Sequence, residues 1–288
     1  MRLPEWIKVK GFHGVHETKR ILRNHEVTTV CEEARCPNIG NCYSKPTVTF
    51  MLLGSKCTRN CGFCSVESAR PGPPDPQEPE RVARASKEMG LKYVIITSVT
   101  RDDLPDGGAG HFASTVKAVR NILSGVKIEV LTPDFTGDLG ALMTVLGSKP
   151  DVFGHNVETV PRLYPVARPQ ADYLRSLHIL KYAKEIVPDM HTKSGLMLGL
   201  GETPEEVTDV LNDLRKAGCD SVTMGQYLRP SKKNLPVVEY IRPEIFETLR
   251  KRALHMGFKY VASSPLVRSS LNVDKMYATA DMGSHDKQ

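Results

Sequence analysis

Six of the seven cysteines of this 288-residue chain lie in two triads within its first quarter. The downstream triad has the spacing C-x3-C-x2-C in the run CTRNCGFC and consists of Cys57, Cys61 and Cys64. Thiolates are soft ligands, and clustered cysteines usually either hold metal or pair as disulfides. Because a cubane iron–sulfur cluster normally takes four cysteines, three thiolates would leave one iron open for chemistry.

A structural zinc site or a disulfide set is the alternative interpretation of this triad. Zinc in a closed structural site prefers four protein ligands. Here Phe63 directly precedes the last cysteine and no histidine stands nearby. The spacing therefore favours an iron–sulfur cluster over zinc.

The C-x3-C-x2-C run resembles the signature of the radical S-adenosylmethionine (SAM) enzymes. In that superfamily the three cysteines bind a 4Fe–4S cluster, and the amine and carboxylate of SAM chelate its fourth iron. The resemblance implies that Cys57, Cys61 and Cys64 hold such a cluster, and that it cleaves SAM to a 5′-deoxyadenosyl radical.

The upstream triad, C-x4-C-x5-C, consists of Cys31, Cys36 and Cys42. Together with the runs VTRDDLPDGGAGHFA, HNVETVPRLYPVAR, TKSGLMLGLGET and PLVRSS, it makes nearly the whole chain similar to the lipoyl synthase family. The resemblance implies an auxiliary 4Fe–4S cluster on this triad, completed by a serine of a late Arg-Ser-Ser-Tyr motif. The motif here reads RSSL from residue 268, so the implied ligand is Ser270, with Ser269 as the alternative.

The ligand role of Ser270 rests on the resemblance alone, because serine more commonly caps helices or forms turns. A hard oxygen ligand among thiolates should be the easiest to lose, which suits a cluster that must come apart. Leu271 stands where the family motif has tyrosine, so this chain lacks a phenol that the family has near the cluster.

The resemblance implies insertion of two sulfur atoms at C6 and C8 of an octanoyl chain carried on a protein lysine. Those carbons are unactivated, so the cofactor carries the hard step, and two SAM molecules are used per lipoyl group. The auxiliary cluster supplies both sulfurs and needs repair afterwards. The implied partners are octanoylated lipoyl carrier domains or a glycine-cleavage carrier protein, a reductant such as ferredoxin or flavodoxin, and an iron–sulfur carrier.

The same resemblance suggests residues that contact SAM. Asp106, Gly107 and Gly108 lie in DLPDGGAG after the second predicted strand, where radical SAM enzymes hold the methionyl amine. A plain glycine-rich turn is the alternative. Asn156 and Glu158 end the fourth predicted strand, and we expect them to contact the ribose hydroxyls.

Short β-rich runs alternate along the chain with stretches of helical length, which predicts a parallel sheet with right-handed crossovers. Six such units predict an α/β fold, a partial (β/α)6 TIM-type barrel whose active site lies at the carboxyl ends of the strands. The strands are predicted over residues 47–54, 92–99, 126–132, 151–158, 192–200 and 221–227, with an edge element over 258–263.

The predicted barrel, residues 47–262, is flanked by two further parts. Residues 1–46 form an N-terminal extension that carries the auxiliary cluster, and residues 263–288 form a C-terminal closing segment with the serine ligand and a frayed tail. We expect the extension to cover the barrel mouth.

Composition excludes several classes of protein. The net charge is +6, but the basic residues are spread out, which argues against nucleic-acid binding. No apolar run approaches the roughly 20 residues that span a bilayer, and the start MRLPEWIKVKGFHG has no secretory h-region. We therefore expect a cytoplasmic protein, in which clustered cysteines indicate metal or catalysis.

Two rival functions stay open. A biotin-synthase-like or methylthio-transferring radical SAM enzyme would share the downstream triad but should lack the upstream triad paired with a late Arg-Ser-Ser. A non-catalytic module would hold structural zinc on both triads. Metal analysis separates the last, with about eight irons against about two zincs.

Overall fold

A computed structural model describes residues 3–9, 11, 14–45 and 47–270; Leu271 and the predicted tail lie outside these ranges. Its strands are β1 (Thr49–Leu52), β2 (Lys56–Cys57), β3 (Glu67–Ser68), β4 (Tyr93–Ser98), β5 (Lys127–Leu131), β6 (Val152–Gly154), β7 (His191–Leu198), β8 (Ser221–Gln226) and β9 (Tyr260–Ser263). Its helices are α1 (His16–Asn24), α2 (Val30–Glu33), α3 (Ile39–Tyr43), α4 (Glu78–Glu88), α5 (Ala109–Ile122), α6 (Leu139–Gly147), α7 (Tyr164–Ala167), α8 (Tyr173–Ile186), α9 (Pro204–Lys216) and α10 (Pro243–His255).

Seven strands form one all-parallel sheet in the order β1-β4-β5-β6-β7-β8-β9. Among these seven, each strand lies beside the next one along the chain, and each crossover carries at least one helix. This is the predicted partial (β/α)6 barrel with its seventh, edge strand. All seven predicted strands are confirmed, each within a few residues of its predicted ends.

The sheet is covered on both faces, which explains the near-continuous apolar runs of its strands. All four residues of β1 and all six of β8 are buried. The crossover helices turn one apolar stripe inward; α9 buries Val207, Val210, Leu211 and Leu214 at helical spacing. The N-cap of α9, Thr203, forms a capping box with Glu206.

The N-terminal extension lies along the free edge of β1. The amide of Met51 donates to the Thr28 carbonyl at 2.9 Å, and Thr29 forms an antiparallel bridge with Phe50. Farther along the extension, the Asn38 side chain donates to the carbonyl of Leu266, just after β9. The extension therefore reaches from one edge of the open barrel to the chain that follows the other edge.

Across the described ranges, no helix combines the length and apolar character needed to cross a membrane.

Candidate active site

The downstream cysteine triad lies in a loop, residues 57–64, directly beyond the carboxyl end of β1. The short strands β2 and β3 pair in parallel at the base of this cysteine loop. The sulfur of Cys57 accepts hydrogen bonds from the amides of Arg59, at 3.4 Å, and Thr100, at 3.3 Å. Because such N–H groups stabilise negative charge on sulfur, this position suits a metal-bound thiolate.

Arg59 fixes the cysteine loop to the ends of two neighbouring strands. Its guanidinium binds both carboxylate oxygens of Asp102, at 2.8 and 2.9 Å, and one oxygen of Asp134 at 2.6 Å. Asp134 is fully buried, and burial alone would raise its pKa. The ion pair with Arg59 outweighs burial and holds the pKa of Asp134 below its ordinary value.

Two other segments hold the far side of the cysteine loop. The Gly62 amide donates to the Ala167 carbonyl at 2.8 Å, and the Gly62 carbonyl accepts from the Leu235 amide at 2.9 Å. A Cβ at Gly62 would lie 3.0 Å from the Leu235 side chain. The Asn234 side chain donates to the Cys64 carbonyl at 2.6 Å. Glycine is needed here because two other segments of the chain approach its Cα closely.

Burial raises the thiol pKa of Cys31, Cys42, Cys61 and Cys64. It raises the pKa of Cys64 and of Cys31 to about 12, and that of Cys42 to about 11. Burial also raises the pKa of Cys61, although the Arg168 guanidinium opposes this shift. These thiols stay protonated at neutral pH in a metal-free chain, so metal uptake must release their protons.

A cavity of about 140 Å³ opens beside Cys61 at the carboxyl ends of the strands. It is lined by polar side chains from the loops after β4, β5 and β6, together with residues of the cysteine loop. The polar lining includes Arg59, Thr100, Asp134, His155, Asn156, Glu158 and Arg168. Two of the predicted SAM contacts, Asn156 and Glu158, thus lie in this lining.

His155 presents an unprotonated nitrogen at this cavity. Its Nδ1 lies 2.9 Å from the Thr132 carbonyl, which can only accept, so the proton sits on Nδ1. Nε2 is buried and has no hydrogen-bond partner among the described residues. Burial, helped by the nearby Arg168 cation, lowers the pKa of His155 to about 4. The ring is therefore neutral at pH 7 and acts as an acceptor.

Asn156 and Glu158 are held together at the end of β6. The Asn156 amide donates to a Glu158 carboxylate oxygen at 3.0 Å and to the Ser269 hydroxyl at 2.9 Å. Burial raises the pKa of Glu158. Glu158 also has a φ of 65°, a left-handed conformation that is strained for a residue with a side chain. Its amide compensates by donating to the Gly195 carbonyl at 2.9 Å.

Arg168 is a cavity residue to which the sequence analysis assigned no role. Its Nη1 donates to the carbonyls of Asn156, at 3.0 Å, and Val157, at 3.1 Å, and its guanidinium lies 5.2 Å from the Tyr164 ring centroid. Its Nε is buried and lacks a partner in the described part of the chain. The sequence signal that could have indicated it is an arginine that ends the otherwise apolar run LYPVAR.

The predicted methionyl-amine contacts lie in a turn away from this lining. Asp106 accepts from the Gly108 amide at 2.9 Å and from the Gly110 amide at 2.8 Å, and so binds the first amides of α5. Gly107 and Gly108 have φ values of 59° and 91°, and a Cβ at Gly108 would collide with Leu53. The turn has a structural role, and contact of Asp106, Gly107 and Gly108 with SAM stays a prediction.

The upstream triad lies between the extension helices and the chain after β9. Cys31 belongs to α2, Cys42 belongs to α3, and Cys36 lies between them. Arg268 is partly buried and lies near Cys36; burial lowers the pKa of Arg268, and negative charge on the Cys36 sulfur opposes this shift. Ser270 follows two residues after Arg268 and is partly buried.

A hydrogen bond joins the two chain segments that carry the cysteine triads. The hydroxyl of Ser65, next to Cys64, donates to the carbonyl of Glu33 in α2 at 2.6 Å. Within the described residues, no three His, Cys, Asp or Glu side chains are grouped to hold a single metal ion. A cubane distributes its thiolates over separate irons, so buried soft donors with N–H groups aimed at Cys57 fit a cluster. The acceptors and the Arg168 cation beside Cys61 fit a polar, charged ligand such as SAM.

Comparison with solved structures supports the fold. SuiB of Streptococcus suis bound to S-adenosylmethionine superposes with a TM-score of 0.58 at 13% identity, over 78% of this chain and 53% of that one. Methylornithine synthase superposes with a TM-score of 0.54 at 15% identity, over 81% of this chain and 80% of that one. At these identities the likeness concerns the fold alone.

Sequence comparison is far closer. The radical SAM superfamily profile matches residues 51–225. The lipoyl synthase of Caldanaerobacter subterraneus is 54% identical over 275 residues, which cover 95% of this chain and 96% of that protein. The lipoyl synthase of Rubrobacter xylanophilus is 52% identical and covers 98% of this chain and 88% of its own length. The chain therefore belongs to the lipoyl synthase family of the radical SAM superfamily.

Proposed function

We propose that this chain is a lipoyl synthase that inserts two sulfur atoms at C6 and C8 of a protein-bound octanoyl-lysine. One observation carries the proposal beyond family membership: both cysteine triads and the chain just before Ser270 meet at one end of the barrel. The Ser65–Glu33 and Asn38–Leu266 hydrogen bonds form that junction.

The proposed cofactors are two 4Fe–4S clusters and SAM, of which two molecules are used per lipoyl group. The downstream triad (Cys57, Cys61 and Cys64) would hold one cluster with SAM, and the upstream triad with Ser270 would hold the auxiliary one. When bound, the first supplies the electron that cleaves SAM to a radical, and the second supplies sulfur. We assign Ser270 rather than Ser269 because the Ser269 hydroxyl is already bound by Asn156.

The residues of the chain itself orient and shield the reactants. Asn156 and Glu158 would bind the ribose hydroxyls of SAM, because both lie in the cavity lining beside Cys61. Asp106, Gly107 and Gly108 remain our candidates near the methionyl amine. We keep the three-part organisation, residues 1–46, 47–262 and 263–288, and assign exclusion of water to the first and last parts.

The proposed partners follow from this reaction. The substrate is an octanoylated lipoyl carrier domain or glycine-cleavage carrier protein, the electrons come from a reductant such as ferredoxin or flavodoxin, and an iron–sulfur carrier rebuilds the auxiliary cluster. We propose a cytoplasmic location, because the seven cysteines are free thiols and persist in a reducing compartment.

The deciding experiment is an anaerobic assay with an octanoyl-lysyl peptide. The reconstituted protein is incubated with SAM and reductant, and mass spectrometry follows the peptide while 5′-deoxyadenosine is quantified. Two added sulfurs with about two 5′-deoxyadenosines per product are expected. Release of 5′-deoxyadenosine without sulfur on the peptide would instead indicate a radical SAM enzyme with another substrate.

A further inference from the structure

We propose that Ser269 is a positioning residue: it orients the side chain of Asn156 at the cavity and thereby links the C-terminal segment, residues 263–270, to SAM binding. The inference rests on the proposed function, in which Asn156 contacts SAM. It separates the two adjacent serines of the motif, with Ser269 acting on the SAM site and Ser270 on the auxiliary cluster.

The hydrogen bonds of Asn156 carry the first step. A side-chain amide has two N–H donors and one carbonyl acceptor. Both donations of Asn156 Nδ2 have partners, the Glu158 carboxylate at 3.0 Å and the Ser269 hydroxyl at 2.9 Å. The acceptor, Oδ1, is buried and has no partner among the described residues. Asn156 lines the cavity, and we infer that a hydroxyl group of a ligand there would satisfy this unpartnered acceptor.

Rotation of the amide by half a turn would remove this arrangement. It would direct Oδ1 at the Glu158 carboxylate, which would then lose its N–H donor. Glu158 alone can select the orientation, but it holds only one of the two N–H groups. The Ser269 hydroxyl accepts from the same nitrogen and so fixes the plane of the amide as well.

Two glycines let the C-terminal segment approach this closely. A Cβ at Gly195 of β7 would lie 2.9 Å from the Ser269 hydroxyl and 3.0 Å from Asn156 Oδ1. A Cβ at Gly225 of β8 would collide with the carbonyl of Val267. The segment therefore rests on bare backbone of two neighbouring strands. Because residues 263–270 pack this closely against β7 and β8, we treat Ser269 as part of the site.

Linkage follows from the shared residue. If docking of the segment and binding of SAM both require one orientation of Asn156, each must favour the other by the same free energy. Loss of one neutral hydrogen bond corresponds to about a three- to tenfold change in a binding constant. We therefore expect Ser269→Ala to weaken SAM binding by about that factor.

The test compares Ser269→Ala, Ser269→Thr and Ser270→Ala in reconstituted protein. SAM affinity is measured by calorimetry, and iron and sulfide are counted per chain. Ser269→Ala should keep its iron but bind SAM more weakly, and Ser269→Thr, which retains the hydroxyl, should restore the affinity. Ser270→Ala should lose iron while keeping SAM affinity. A Ser269→Ala protein with wild-type SAM affinity overturns the inference, and so does iron loss in Ser269→Ala but not in Ser270→Ala.

A double-mutant cycle with Asn156→Ala checks that Ser269 acts through Asn156. Asn156→Ala should weaken SAM binding, and adding Ser269→Ala should weaken it no further. Additive effects would contradict the proposed route. Failure of the proposed function is distinguishable from failure of this inference. A wild-type protein that binds SAM but adds no sulfur to the peptide would contradict the proposed function. The comparison of SAM affinities between wild type and Ser269→Ala would still test the role of Ser269 in that protein.

Discussion

The side-chain amide of Asn38 donates to the backbone carbonyl of Leu266 at 2.7 Å, across a sequence separation of 228 residues. Asn38 is 8% exposed and lies two residues after Cys36, while Leu266 lies two residues before Arg268. The bond therefore joins the extension that carries the upstream triad to the segment that carries the serines. Neither residue belongs to a strand of the barrel, so the contact is made directly between the two flanking parts.

Replacing Asn38 by alanine should loosen the upstream cluster site. The Leu266 carbonyl would lose its partner, at an expected cost of about 1–3 kcal/mol in the free energy of unfolding. In a Cys57→Ala, Cys61→Ala, Cys64→Ala background, only the upstream triad takes up iron, and Asn38→Ala should release that iron faster to a chelator. The matched control is Asn121→Ala, on the exposed face of α5. Equal release from both variants would show that the Asn38 bond does not support the site.

Replacing Arg59 by glutamine should destabilise the cysteine loop. Asp134 would stay buried with Arg175, at 3.3 Å, as its remaining cation, and breaking a buried ion pair costs about 3 kcal/mol or more. Arg59→Lys keeps the charge but cannot bind both oxygens of Asp102, so it should fall in between. Urea unfolding of the cluster-free chain measures both. The control is Arg20→Gln, which removes an exposed ion pair with Glu17 and should leave the free energy of unfolding nearly unchanged.

Alanine at Gly225 should displace the C-terminal segment, because its Cβ would collide with the Val267 carbonyl. We expect lower iron occupancy of the upstream triad and weaker SAM binding in the same variant, with the barrel still folded by circular dichroism. Gly147→Ala is the matched control, since a Cβ at that last residue of α6 meets nothing within 4 Å. Normal iron and SAM binding in Gly225→Ala would contradict the seating of the segment on β8.

The raised thiol pKa values predict an unusual pH dependence of alkylation. A thiol whose pKa is raised is less ionised at a given pH, so its rate should keep rising, about tenfold per pH unit, until pH approaches the folded pKa. In the folded, cluster-free chain the rates at Cys64 and Cys31 should still climb at pH 10, because burial puts their pKa near 12. In urea they should level off near the ordinary pKa of about 8.5. Peptide mapping after iodoacetamide treatment measures each site, and a folded-state plateau below pH 9 would contradict the prediction.

The strands of the barrel were predictable because each is a short apolar run bounded by polar or turn residues. Helix α6 has no comparable signal in its sequence. Its sequence LGALMTVLG is apolar on most of its surface and contains two glycines, so it shows no amphipathic stripe. What starts this helix is the Asp138 side chain, which accepts from the amides of Gly140 and Ala141. Such a single cap is difficult to recognise in a glycine-rich sequence.

The candidate site divides in the same way. Each cysteine triad is local in sequence, so its spacing alone pointed to clusters. Arg59, Asp134, His155 and Arg168 come from four separate loops and share no pattern. Only the strand order brings them together, and their burial follows from packing that no local run encodes. Cys219 shows the simpler case, since a lone cysteine usually behaves as a small buried apolar residue, and Cys219 is fully buried.

The Asn38–Leu266 bond also bears on the order in which this protein matures. Asn38, beside the upstream triad, leaves the ribosome 228 residues ahead of Leu266. Domains can begin folding during synthesis, but a contact between distant residues must wait for both partners. The site of the upstream triad is therefore completed only after all seven barrel strands have been synthesised, so its cluster would be inserted after the barrel and not before it.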